Sequence, residues 1–396
     1  MTPMPMPISS LAFEPTLQAA HERIKAVRPQ DYARTRNALD GAVSRLSPYL
    51  THGFVSLPEV HAGVASSYPL DDQHKFVFEL GWRAYFQHVW SHIGVGIHKS
   101  LHEGLMPESA YLKELPEDIA QAKTGVPVID CAVRELYATG YLHNHARMWL
   151  ASYVVHLRKV HWHVGAEWLY SHLLDGDLAS NHLSWQWVAG TGSSKPYVFN
   201  AENVQRYAPA AWHSPGSVID TSYEALDRMA RSAKPAVFGR SSAAGVKPPE
   251  LFSQAPQPGD FSPVDAQSVQ GRDVWLVHPW ALGALPDDLP EGALALGIAL
   301  SEFHDAHPWT AQRWQFVTRR MRELAPLCWH ADAQTIGAAL RSARSVHLLA
   351  NPHLREIGKP WLPASVRQHA APRLFRPVAE MCGSFSKWRA RTGVVR

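Results

Sequence analysis

The apolar residues of this chain recur every three and four positions from about residue 15 to residue 230, and beyond that the spacing is abandoned. This switch constrains the fold more than any other feature, because a helical period buries a stripe whereas a strand period buries a face. In Phe76-Val-Phe-Glu-Leu-Gly-Trp-Arg-Ala-Tyr-Phe-Gln-His-Val-Trp90, for example, Glu79, Trp82, Arg83 and Phe86 share one helical face. Between Ser232 and Gln270 the composition shifts to Pro, Ser, Ala and Gly, which reads as a linker or long surface connection. After it come short apolar runs, Val274–Val277, Leu294–Leu300 and Ser345–Ala350, separated by helical stretches that include Thr310 to Leu324 and Ala333 to Ala343. Strands alternating with helices predict a small parallel α/β domain. The expected organisation is a mostly α-helical domain over residues 1–232, a linker over 233–270 and a smaller α/β domain with a parallel sheet over 271–396.

With 396 residues, 46% of them hydrophobic and 18% charged, the chain is long enough for two domains with sizeable cores. Its start, Met1-Thr-Pro-Met-Pro-Met-Pro7, lacks a basic region followed by an apolar run, and no run of about 18 apolar residues occurs. A soluble, cytoplasmic protein without a membrane partner is expected. Cys131, Cys328 and Cys382 lie far apart without paired spacing, which argues against a disulfide framework, a zinc site or an iron–sulfur cluster. No metal site is expected from them. A net charge of +3 does not by itself indicate nucleic-acid binding, although 23 histidines leave room for a local basic patch. The 15 tryptophans say more, since an excess of indole builds either a large aromatic core or stacking and redox surfaces.

Two segments concentrate the chemistry. Leu174-Asp-Gly-Asp-Leu-Ala-Ser-Asn-His-Leu-Ser-Trp-Gln-Trp-Val-Ala-Gly-Thr-Gly192 brings two carboxylates, an amide and two tryptophans together, poor material for a core and good material for holding a large aromatic ligand. Upstream lie Thr124-Gly-Val-Pro-Val-Ile-Asp130 and Thr139-Gly-Tyr-Leu-His-Asn-His-Ala-Arg-Met148, where Asn144, Arg147 and Met148 share a helical face. A buried guanidinium at Arg147 needs a carboxylate partner, and the Asp175 segment offers one. Taken alone, that pair reads first as a structural salt bridge. In Ser44-Arg-Leu-Ser-Pro-Tyr-Leu50, hydroxyls and first-turn amides make either an anion cradle or an ordinary helix cap.

Together these blocks resemble the flavin-binding region of the DNA photolyase and cryptochrome family, over roughly residues 30 to 200. The resemblance implies FAD as cofactor, with Tyr32, Ser44, Leu46 and Ser47 at its pyrophosphate and Asn144, Arg147, Asp175, Asp177 and Asn181 around the flavin. It implies an electron relay through Trp185 and Trp162, whose outer member would fall near Ser109 to Tyr111, where there is no tryptophan. It further implies a lesion pocket of Glu79, Trp82, Arg83, Asn144, Met148 and Trp187, with Glu79, Asn181, Trp185 and Trp162 in catalytic roles. Val43, Ala84, Tyr141 and His145 depart from the family pattern, and His145 stands where an arginine would touch DNA phosphate. The family's usual N-terminal antenna domain is not seen ahead of the flavin segment, and a degenerate one is expected over 271–396, with an unrelated α/β cap as the other reading. The antenna chromophore stays unassigned. The implied function is light-driven splitting of cyclobutane pyrimidine dimers in DNA by electron transfer from reduced FAD, in a monomeric lyase. The alternative is a cryptochrome-like blue-light photoreceptor without repair activity.

Overall fold

Gly140 shows how the helices of this chain are punctuated: its φ of 64° is left-handed, and it ends the helix Pro127–Thr139 where a side chain would be strained. At the other end of that helix the carboxylate of Asp130 accepts from the amides of Thr124 and Gly125 and from the Thr124 hydroxyl. Pro127 occupies the first turn, where its missing N–H costs nothing. The computed structural model describes residues 13–235, 244–355 and 360–395. Residues 236–243, part of the expected linker, and the start of the chain on which the leader reading rests lie outside the described residues.

The chain divides into two compact units that interleave along the sequence. The first comprises Met1–Phe13, Gln30–Val43 and Gly96–Pro249. It is helical, built on Pro127–Thr139, Asn144–Ser152, Trp162–His172, Leu178–Ala189, Ala201–Tyr207 and Tyr223–Ala230. One continuous core runs from Ile119 to Leu226 and includes the fully buried Trp149, Tyr153 and Leu150. Trp162–His172 packs against Leu178–Ala189 so closely that a Cβ added at Gly165 would meet the ring of Trp185 at 2.3 Å. Glycine is therefore required there by sterics.

The second unit comprises Glu14–Pro29, Ser44–Val95 and Glu250–Arg396. A two-residue antiparallel ladder joins β1 (Leu251–Phe252) to β4 (Trp309–Thr310). The main sheet has five parallel strands, β2 (Asp273–Val277), β3 (Leu294–Leu300), β5 (Leu327–Ala331), β6 (Ser345–Leu349) and β7 (Val366–His369), in the order β5-β3-β2-β6-β7. Its first strand is central and the chain winds outward in both directions, the doubly wound arrangement. All seven residues of β3 are buried, which is why it reads as an unbroken apolar run rather than an alternation. Gly297 within it lets the helix Ala311–Leu324 approach, since a Cβ there would lie 2.5 Å from the Cys328 sulfur and 2.9 Å from Met321.

In doubly wound sheets ligands bind where the strand order reverses, at the carboxyl ends of the central strands. Here the protein's own rings occupy that place. His278, just after β2, bonds through Nε2 to the carbonyl of Leu349 at the end of β6 (2.8 Å) and accepts at Nδ1 from the Trp280 amide. Trp280 in turn stacks on His353, with centroids 4.3 Å apart and planes 8° from parallel. Among the described residues no helix is long and apolar enough to cross a membrane.

Candidate functional site

Arg147 and Asp175 form an ion pair in the first unit. The guanidinium Nη2 lies 3.0 and 2.7 Å from the two carboxylate oxygens, and its Nε donates to the carbonyl of Leu142 at 2.8 Å. Asp175 has a side chain only 2% exposed, against 24% for Arg147, so the carboxylate depends on its partner. The turn carrying Asp175 is fixed by the Leu174 amide, which donates to the carbonyl of Gly140. The left-handed residue that ends one helix thus anchors the loop of the site.

Two residues further on, Asp177 caps the helix Leu178–Ala189, its Oδ1 accepting from the Ser180 amide at 2.8 Å. Asn181, one turn into that helix, donates its side-chain N–H to the carbonyl of Ala166 at 2.8 Å. This bond sets the amide's orientation and leaves its oxygen as an acceptor. The hydroxyl oxygen of Ser180 is buried and has no hydrogen-bond partner among the described residues. Asn144 begins the helix Asn144–Ser152 and reaches the Met148 sulfur at 3.6 Å, a weak bond that joins two residues expected to face substrate. Trp187 is 38% exposed beside Tyr197.

Trp162 and Trp185 are both buried. The Trp162 indole N–H donates to Ser100 at 3.0 Å, and its ring lies 5.8 Å from His161, which meets Tyr111 at 6.1 Å. A run of aromatic rings therefore leads from Trp162 through His161 to Tyr111. His145, in place of the family's arginine, packs between Trp149 and Tyr207. Burial, with Arg36 nearby, holds its imidazole down at about 4, so it carries no charge at neutral pH.

The remaining expected residues, apart from Tyr32 on the short helix Pro29–Thr35, belong to the second unit. Ser47 opens the helix Ser47–Thr51 with Pro48 behind it. Leu46 occupies the cap position and among the described residues no side chain caps that helix, so neither Ser44 nor Ser47 acts as an ordinary cap. On the helix Lys75–Ile93, Glu79 pairs with Lys75 at 3.0 Å and Arg83 donates to the Thr51 hydroxyl at 3.1 Å. Trp82 stacks on Phe385, a residue of the last helix, Phe385–Arg389. Further bonds hold that helix and the residues before it: Tyr85 donates to the Cys382 carbonyl, the Cys382 amide donates to His88, and Arg389 donates to the Asp72 carbonyl. Sequence reasoning missed this contact. The three-residue spacing of Phe385 and Trp388, both buried, was the available signal.

Residues 76–213 match the family model for the FAD binding domain of DNA photolyase. The deoxyribodipyrimidine photo-lyase of Thermus thermophilus is 36% identical over 203 residues, which cover 49% of this chain and 47% of that protein. The cryptochrome DASH of Gloeobacter violaceus is 34% identical over 173 residues, covering 41% and 34%. A cryptochrome structure from a Synechocystis species aligns with a TM-score of 0.44 and 29% identity, covering 50% of this chain and 44% of that one. The chain spans less than half the length of these relatives. Residues 76–213 are thus similar to the FAD binding domain of DNA photolyase.

The residues present fit FAD. A buried hydroxyl without a partner at Ser180, a uniquely oriented amide at Asn181 and a buried ion pair at Arg147–Asp175 are the donor, acceptor and charge set that an isoalloxazine edge demands.

Proposed function

We propose that the chain is a light-driven flavoprotein that splits cyclobutane pyrimidine dimers in DNA. The observation that carries the reading is the side-chain amide of Asn181. Tied by its N–H to Ala166, it offers a fixed acceptor to a ring N–H, as a reduced flavin requires. When bound, FAD supplies the excited-state electron that opens the dimer. Asn144, Arg147, Asp175, Asp177 and Asn181 of the first unit hold it, with Tyr32, and with Ser44, Leu46 and Ser47 at its phosphates.

The protein's other task is to receive a flipped lesion. Asn144, Met148 and Trp187 of the first unit, and Glu79, Trp82 and Arg83 of the second, are the residues proposed to receive it. Indoles stack on the apolar dimer while Glu79 and Asn144 read its polar edges. Trp162 and Trp185 conduct electrons to the flavin, and the ring sequence through His161 supports Tyr111 as the outer donor in place of a tryptophan. Because His145 is neutral, DNA affinity depends on fewer phosphate contacts and responds less steeply to salt than an arginine there would give. Illuminating the photoreduced protein with dimer-bearing oligonucleotides tests the reading. Repair of single- or double-stranded DNA supports it, and absence of repair on both overturns it.

A second reading, a blue-light photoreceptor, is favoured by one observation: one face of Trp82 is already covered by Phe385 of the C-terminal segment. In this case light changes the protease sensitivity of that segment and no dimer is split.

A further inference from the structure

Three histidines and a glutamate of the first unit converge where none of the roles above needs them. His163 and Glu167 stand four residues apart on the helix Trp162–His172 and so share a face. His182 comes from Leu178–Ala189, and His98 from the segment that precedes both. Glu167 Oε1 lies 2.7 Å from His182 Nε2, 3.6 Å from His163 Nε2 and 3.8 Å from His98 Nδ1. All four donor atoms fall within 4.8 Å of one another. The rings meet edge to face rather than stacked, at 71° for His98–His163 and 77° for His98–His182.

We propose that His98, His163, Glu167 and His182 form a tetrahedral site for a divalent transition metal, with zinc as the fitting ion. Four ligands on bonds of about 2.0–2.1 Å around such an ion stand about 3.4 Å apart. Two of the carboxylate's three distances are already near that figure. The third, 2.7 Å, is a hydrogen bond between His182 Nε2 and Glu167, and the Leu178 carbonyl, 3.0 Å from His182 Nδ1, keeps that imidazole oriented, as outer-shell partners of metal-bound histidines do. Imidazole and carboxylate together suit zinc better than calcium or magnesium. His182 has no exposed side-chain surface, whereas His98, Glu167 and His163 are 20%, 27% and 33% exposed, so the site has a buried floor and an accessible mouth. The inference is independent of the flavin reading.

The test uses the full chain stripped with a chelator, titrated with Zn2+ against a chromophoric competitor and separately with Co2+. Expected are one equivalent of tight binding, the visible absorption of a four-coordinate cobalt centre, release of protons and a higher Tm. His98→Ala and His163→Ala, both at the accessible mouth, should each weaken zinc binding at least ~10-fold, while His102→Ala, outside the cluster, leaves it unchanged. Absence of stoichiometric binding, or binding indifferent to His98→Ala and His163→Ala in folded protein, overturns the proposal.

Discussion

The ring of Trp82 lies flat on that of Phe385, with centroids 4.1 Å apart and planes 11° from parallel. A base that stacks on Trp82 must take the opposite face or displace Phe385. Phe385→Ala therefore separates two roles. Its loss from a buried position should lower stability by about 3–5 kcal/mol, read by denaturant unfolding. If Trp82 receives the lesion, the same variant binds dimer-bearing oligonucleotides more tightly. Unchanged affinity would make the stack purely structural.

Arg147 brings its positive charge to both oxygens of the Asp175 carboxylate, which is nearly fully buried. Arg147→Leu should destabilise the fold by about 3–5 kcal/mol, because the buried carboxylate loses its guanidinium. It should also purify with little flavin, measured as the ratio of flavin to protein absorbance. Arg147→Lys keeps a charge but cannot reach both oxygens and Leu142, and is expected to fall between the leucine variant and the parent on both measures.

Gly165→Ala places a methyl 2.3 Å from the Trp185 ring. Overpacking of this kind costs about 1–3 kcal/mol, and the displaced indole should slow photoreduction of bound flavin under steady blue light. Photoreduction at the parental rate would show that Trp185 is not on the electron route.

Four imidazoles, those of His145, His156, His163 and His278, are held down at about 4, in each case chiefly by burial. In the unfolded chain they protonate near pH 6.5, so between pH 6.5 and 4 the unfolded state binds more protons than the folded one. Stability should therefore be full above pH 6.5 and fall as the pH drops through this window, by about 2 kcal/mol for each histidine at pH 5. Thermal unfolding at a series of pH values checks it. A Tm that is flat from pH 7 to pH 5 would contradict the burial of these rings.

Strands β2 and β3 were legible because both are short apolar runs at places where the helical spacing has ended. β7 was not, since Val366-Arg-Gln-His369 is a polar strand at the edge of the sheet whose pairing with β6 no local pattern announces. The Arg147–Asp175 pair could be anticipated because a buried guanidinium requires a carboxylate. Glu79, Trp82 and Arg83 were read as one face, which they are, but their actual neighbours include a phenylalanine some 300 residues away that periodicity cannot reveal. The histidine cluster escaped notice because its signal, His163 and Glu167 at a four-residue spacing, is commonplace until the fold adds His98 and His182.

The interleaving of the two units has a consequence for biosynthesis. Every segment of the first unit has left the ribosome once residue 249 has emerged, so that unit can close while translation continues. The second draws on residues 14–29 and 44–95 and yet requires 250–396, so the helix bearing Glu79 and Trp82 waits for the last stretch of chain. Throughout that interval its apolar face has no Phe385 to meet.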